Sequence, residues 1–287
     1  MSYFIQQVLN ALVTSSLYVL LGLGASQIYG ILEISHFAHG SVMMMGGYLA
    51  YTFFTMMGMN LFLSLFLGMI CGALLGVIIE KFFYRPAMKG PMINVFIIAY
   101  GLMYIFQNIA QQIWGSKQVA IVSPFNNTVS IFGATITTMR VIVFVVDVAL
   151  VLGMMFLMNK TPLGRSIRAM AQNKDAAIMV GVNVGMNSSI IFALGSALAA
   201  LAGGFMGTIL SVFTTMGGDM VLKAFTVMII GGLGSIPGII VGGLLLGFVE
   251  TFGAAIISAA YKNVFGFILI ILILVFKPEG LLTKSRK

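Results

Sequence analysis

The chain has 287 residues, 60% of them hydrophobic and only 8% charged, with a mean hydropathy of +1.09. Soluble domains carry about 25% charged residues, so this composition excludes an ordinary soluble fold and describes a protein that crosses a membrane several times. The net charge of +8 makes no nucleic-acid face, because the cations lie in short segments between apolar runs, and the single cysteine, Cys71, excludes a disulfide framework or a thiolate metal site.

The N-terminus lacks a basic region and a small-residue cleavage site, so the first apolar run, residues 4–31, reads as a retained span. Further runs follow at 40–57, 61–80, 93–113, 141–158 and 188–212, then an interrupted region at 222–232 and 238–255, and a last run at 264–276. Each long run approaches the roughly 20 residues that a helix needs to cross a bilayer, whereas 222–232 is short for that task. The expected fold class is an all-α polytopic membrane protein of about eight or nine transmembrane helices, two of which read as broken. No stretch is long enough for a separate soluble domain, so residues 1–287 read as one membrane domain.

Orientation follows from Lys and Arg. Segments 81–92, 159–186 and 277–287 hold Lys81, Arg85, Lys89, Lys160, Arg165, Arg168, Lys174, Lys277, Lys284, Arg286 and Lys287, leaving only Lys117, Arg140, Lys223 and Lys262 elsewhere. Such an excess marks cytoplasmic segments. The loop 114–139 and the N-terminus are then expected outside, and the C-terminus inside.

Two interruptions of the apolar pattern resemble helix breaks, EISHFAHG at 33–40 and GGLGSIPG at 231–238, where Pro237 and four glycines cannot continue a helix. Irregular backbone at membrane depth is tolerated only in protein-lined or wet surroundings, and transporters build substrate sites from it. Tight surface turns have the same composition, so both readings stand. Ser35, His36, His39, Gly40, Gly232, Gly234, Ser235 and Pro237 are the candidate substrate-path residues. Gly195, Ala199, Gly203 and Gly207 lie four apart, with shorter series at Gly72 and Gly76 and at Gly243 and Gly247. In lipid such series let backbones approach, so they predict helix–helix contacts within the bundle or with a partner subunit. Each short series precedes a glutamate, Glu80 or Glu250, a trace of an internal repeat.

The longest polar interruption is 161–184, TPLGRSIRAMAQNKDAAIMVGVNV, inside the cytoplasmic loop 159–186. Thr161 is placed as an N-cap and Pro162 at the first helical position. A short amphipathic helix is expected, with Leu163, Ile167 and Met170 on one face and Arg165, Arg168 and Gln172 largely on the other. Gly181 and Gly185 are expected to turn the chain back toward the membrane. A solvated loop has this polarity too, but a short helix held between two spans suits docking against a partner that moves.

Catalytic chemistry is not found. Serine-nucleophile, paired-carboxylate and zincin patterns are missing. His36 and His39 are three apart, yet two imidazoles make a poor metal site because zinc takes about four ligands, so no metal is expected. No G-x-x-x-x-G-K-[ST] run exists, so any ATP used must be hydrolysed by another chain. Among the few ionisable residues near the apolar runs, Glu80 and Asp219 read as interfacial, and Asp147 and Glu250 as buried acids of the kind a proton-coupled carrier uses.

ISHFAHGSVMMMGGY at 34–48, the polar segment 161–184, the stretch 226–250 with GGLGSIPG, and KPEGL at 277–281 together resemble one family. It is the membrane permeases of branched-chain amino-acid ABC importers, LivH type, and the resemblance covers nearly the whole chain. It implies a second homologous permease subunit, two cytoplasmic ATPase subunits carrying ATP and Mg, an extracytoplasmic substrate-binding protein, and a bacterial plasma membrane. It also makes Leu163, Gly164, Arg165, Arg168, Ala169, Asn173 and Ala176 the candidate contacts to an ATPase. No cofactor on this chain and no nucleic-acid partner is implied. The expected cargo is leucine, isoleucine and valine. His36 and Ser41 depart from the family pattern, so urea, a short amide or another amino acid is the alternative cargo. A stand-alone secondary carrier dependent on Asp147 or Glu250 is the alternative of another class.

Overall fold

The computed structural model describes residues 2–131 and 133–282; Lys284, Arg286 and Lys287, counted above among the cytoplasmic cations, lie outside these. The fold is all-α and polytopic. Among the described residues seven helices are long and apolar enough to cross a membrane: Ser2–Leu32, Leu61–Ala87, Met92–Trp114, Thr138–Lys160, Val184–Ile209, Ile236–Ile256 and Ala259–Phe276. In chain order the helices are α1 (Ser2–Leu32), α2 (His39–Tyr51, continued by a wider turn at Thr52–Met56), α3 (Leu61–Ile78), α4 (Arg85–Ala87), α5 (Met92–Trp114), α6 (Thr138–Lys160), α7 (Pro162–Gln172), α8 (Lys174–Met179), α9 (Val184–Ile209), α10 (Met216–Gly231), α11 (Ile236–Ile256) and α12 (Lys262–Phe276). α2 and α10 are apolar helices outside these seven. The loop between α5 and α6 carries a small antiparallel hairpin, β1 (Thr128–Ile131) and β2 (Ala134–Thr137), in which Thr128 pairs with Thr137.

Several helix ends are set by local chemistry. Asn60 caps α3 by accepting from the Phe62 amide, and Ser235 caps α11 by accepting from Gly238, with Pro237 in its first turn, where a missing N–H costs nothing. The expected cytoplasmic loop 81–92 begins later than the sequence suggests. A π-helical turn, Ile79–Tyr84, carries α3 straight into α4, so Lys81 and Arg85 are helical. Gly185 likewise makes no turn: it lies in the first turn of α9, which Asn183 caps, whereas Gly181 does adopt a left-handed φ of 84°.

Hydrophobicity cannot draw helices together in lipid, so close backbone contact must do it. A Cβ on Gly24 of α1 would lie 2.5 Å from the Gly195 oxygen of α9, and one on Gly195 would lie 2.8 Å from the Gly24 oxygen. A Cβ on Gly40 of α2 would overlap the Gly217 oxygen of α10, and one on Gly217 would lie 3.0 Å from the Ser41 backbone. Around these crossings α2 and α3 pack along α9, while α10 and α11 pack along α1. Gly72 and Gly76 seat α3 on Ser196 and Ala200, and Gly243 and Gly247 seat α11 on Val19 and Ser15. α1 and α9 are the most enclosed long spans; α12 faces outward almost entirely.

The hint of a repeat acquires a shape here. A long helix, an irregular connection, a short helix, a capped turn and a third helix occur twice, as α1–α2–α3 and as α9–α10–α11. The connections are 33–38 and 210–215. Each third helix leads to a buried glutamate, Glu80 or Glu250. The two sets run in opposite senses. The Thr135 amide donates to Gln6 near the start of α1, and the Ile121 amide donates to Gly207 near the end of α9, so one loop touches a beginning and an ending. This is the inverted plan common among transporters.

Candidate functional site

The segment 161–184 folds into two short helices. The Thr161 hydroxyl accepts from the Gly164 amide at 3.1 Å, and Asn173 accepts from Ala176 at 2.9 Å, capping α7 and α8. α7 is anchored to the bundle by buried Ile167 and Met170, and Gly164 lies directly on the Leu157 and Met158 carbonyls at the end of α6. Leu163 and Ala169 are half-buried with them, whereas Arg165, Asn173 and Ala176 are exposed. Arg168 departs from the amphipathic expectation. It turns inward, half-buried, with Nη1 enclosed. Beyond α7, three apolar side chains project outward at the tip of α8: Ile178, Met179 and Val180 are 53%, 85% and 78% exposed. Sequence reasoning passed over them; an apolar run caught between an Asn-capped turn and Gly181 was the available signal.

The two candidate breaks occupy different places. Glu33 has a left-handed φ of 57°, and the chain then re-enters the bundle. His39, at the start of α2, sets Nε2 3.1 Å from the Leu21 carbonyl oxygen. Leu21 precedes the end of α1 by a stretch of roughly 16 Å at 1.5 Å per residue, so this break lies deep within the bundle. His36 Nδ1 is 2.7 Å from the Tyr84 hydroxyl, with Phe192 edge-on at 5.3 Å between ring centroids. His36, His39 and Gly40 are buried and Ser35 is half-buried; His36 Nε2 and His39 Nδ1 have no partner. Gly232, Gly234, Ser235 and Pro237 instead make a tight turn between α10 and α11, with φ of 97° and 77° at the two glycines. The Leu281 amide donates to Ile230 at 2.8 Å, tying the end of the described chain to this turn. Gly234, Ser235 and Pro237 share a cavity with Arg168 of α7, so this half of the expected path lies beside α7.

Buried charge is organised in three places. Glu80, expected at an interface, is fully buried: Arg85 reaches its two oxygens with Nε at 3.0 Å and Nη2 at 2.9 Å, and the same Nη2 donates to the Gly185 carbonyl at 2.7 Å. The π-helical turn carries Glu80 inward while the adjacent Lys81 stays exposed. Glu250 of α11 pairs with Lys223 of α10 and accepts from the Tyr18 hydroxyl at 2.6 Å; Lys223 also donates to Asn263 at 3.1 Å. Asp147 is buried in α6 and accepts from Ser16 at 2.7 Å. Glu250 is thus held by a fixed cation and a hydroxyl.

Spans joined through glycine crossings, a helix that begins deep in the bundle and a capped polar segment between two spans define a polytopic membrane transport subunit. Over residues 7–274 the chain matches the family described as branched-chain amino acid transport system / permease component. It is 34% identical to the high-affinity branched-chain amino acid transport system permease protein LivH of Salmonella typhimurium, across 98% of this chain and 96% of that protein. It is 35% identical to the corresponding BraD protein of Pseudomonas aeruginosa at the same coverage. Among solved structures it is similar to PsaBC from Streptococcus pneumoniae in complex with Fab, with a TM-score of 0.55, 13% identity and coverage of 94% and 91% of the two chains; that likeness speaks for the fold alone. The chain belongs to the branched-chain amino-acid permease family of ABC importers, and is a multi-pass transport subunit of the plasma membrane.

Proposed function

We propose that this chain is one of two permeases in an ATP-driven importer of leucine, isoleucine and valine. A second homologous permease completes the membrane core, two cytoplasmic ATPases supply ATP and Mg chemistry, and an extracytoplasmic protein delivers the cargo. The observation that carries the coupling part of this reading is the α7–α8 segment. Its inner face is fixed to α6 and the bundle through Gly164, Ile167 and Met170, while Arg165 and the apolar tip Ile178–Met179–Val180 are left uncovered. Closure of the ATPases pushes that tip, and the anchored helix passes the push to α6 and α1. A mostly apolar bundle suits aliphatic cargo, and a separate delivery protein provides selectivity. The buried His36, His39 and Ser41 favour a second reading, in which the same machinery carries a more polar small molecule such as urea or a short amide.

The test uses the whole complex, copurified through a tag on this chain and reconstituted with binding protein outside and ATP inside. ATP-dependent leucine uptake is expected, reduced at least about ten-fold by Arg165→Glu with Met179→Ser, since interface anchors of this kind carry much of the binding energy. Urea uptake without leucine uptake would replace the cargo and keep the machine. Transport by this chain alone on a proton gradient would overturn the reading.

A further inference from the structure

A cavity of about 320 Å³ lies between α7 and the bundle, and nothing in the transport reading uses it. The C-terminal parts of α1 and α6, the inner face of α7 and the first turn of α11 form its walls. Ser26 and Gln27 line its floor at 0% and 3% exposed, while its mouth is at the exposed helix-end residues Asn159, Gly234 and Pro237. Two polar atoms among its lining residues have no partner: Ser26 Oγ and Arg168 Nη1, both enclosed. Enclosed donors are costly to leave unpaired, so they mark a place built for something that accepts hydrogen bonds. The N-terminus of α11, a 21-residue helix capped by Ser235, adds its partial positive charge to the same wall. No Asp or Glu lines the cavity. Met155, Met158, Ile167 and Ile236 supply apolar lining beside these donors.

We propose that this cavity is a cytoplasmic binding site for a small aliphatic α-amino acid, a site separate from the transport path. Resting on the cargo reading above, this makes the imported product its own ligand. The carboxylate pairs with Arg168 beside the positive end of α11, the ammonium group meets the side-chain oxygens of Gln27 and Asn159, and the branched side chain fills the apolar wall. The volume holds one such molecule together with several waters, and the mouth opens at helix ends on the cytoplasmic side. A ligand seated here fills the space between α7 and the ends of α1, α6 and α11, into which a push on α7 would drive it. It therefore resists the displacement of α7 that the ATPases drive, and accumulated product slows the importer.

Two measurements on the full complex test this. Without binding protein, radiolabelled leucine is expected to bind once per copy of this chain. Gln27→Leu or Arg168→Ala should weaken binding at least about ten-fold, and leucinamide, which lacks the carboxylate, should fail to compete. In proteoliposomes, leucine trapped with the ATP is expected to slow uptake by the parent protein and not by Gln27→Leu, whose uptake into leucine-free vesicles equals the parent's. Uptake into leucine-free vesicles reports on the cargo reading by itself: its absence removes that reading and this one together. If it is present, an internal leucine effect that is missing, or that persists in both Gln27→Leu and Ser26→Val, overturns the site alone. A phospholipid retained by the parent and lost from Gln27→Leu would assign the cavity to the membrane instead and also overturn it.

Discussion

Replacing Gly203 by alanine puts a methyl group into the backbone of the neighbouring helix. Its Cβ would overlap the Met43 carbonyl oxygen, and would lie 2.7 Å from the Met43 carbonyl carbon and 3.0 Å from the Gly47 nitrogen, where ordinary contacts begin at 3.4 Å. These are main-chain atoms of α2, so no rotamer change relieves the clash. The helices must part by roughly 1.5 Å, and a gap of 0.5–1 Å already forfeits about a quarter to a half of each dispersion contact along the seam. Overpacking of this kind costs about 1–3 kcal/mol, against a gain of about 1 kcal/mol from alanine's helix propensity. Gly153→Ala on α6 is the matched control, because nothing lies within 4 Å of its added methyl and only the propensity gain remains. Thermal unfolding midpoints of the two purified variants should therefore fall on opposite sides of the parent's, separated by about 1–3 kcal/mol in stability. Equal midpoints would refute the backbone-to-backbone crossing of α2 and α9.

Glu250→Gln leaves Lys223 enclosed without its counter-charge and should cost about 3–5 kcal/mol, read as a lower unfolding midpoint; replacing both residues by apolar ones of similar size should recover most of it. Arg85→Ala removes the fork on buried Glu80 and the bond to Gly185, with an expected loss of about 2–3 kcal/mol, less than for a fully enclosed pair because the Arg85 side chain is 38% exposed. Faster hydrogen exchange at the start of α9 is its signature. Thr161→Ala deletes the cap that receives the Gly164 amide, costs α7 about 1 kcal/mol, and should raise exchange in α7 while leaving α9 unchanged.

Much of the fold could be read from the chain because its strongest signals are local. Apolar run length located each long helix to within a few residues, and Thr161-Pro162 announced the start of α7 through chemistry confined to one turn. The errors came where a distant partner decides. Glu80 beside Lys81 gives no sign of the Arg85 and Ser189 contacts that enclose it. Gly185 has the composition of a turn, but Asn183 starts a helix before it. Lys223 and Glu250 show no joint pattern in sequence, and only the packing of α10 on α11 brings them together. The hairpin Thr128–Thr137 has strands of four residues, too short for alternation to register. At the candidate site, residue types identified both breaks, while their depths depended on where Leu21 and Arg168 fall in space.

The manner in which the two helix sets meet bears on how such a protein changes shape. α2 and α3 travel with α9, and α10 and α11 travel with α1, so each three-helix body takes its long helix from one set and its two companions from the other. Gly24 against Gly195 and Gly40 against Gly217 lie on the boundary between the bodies. Backbone lies against backbone there, with only Ile28, His39 and Ser41 reaching in, so sliding across it disturbs few rotamers. The boundary is a bearing, greased by four missing side chains, and a single methyl group at any of them would act as grit.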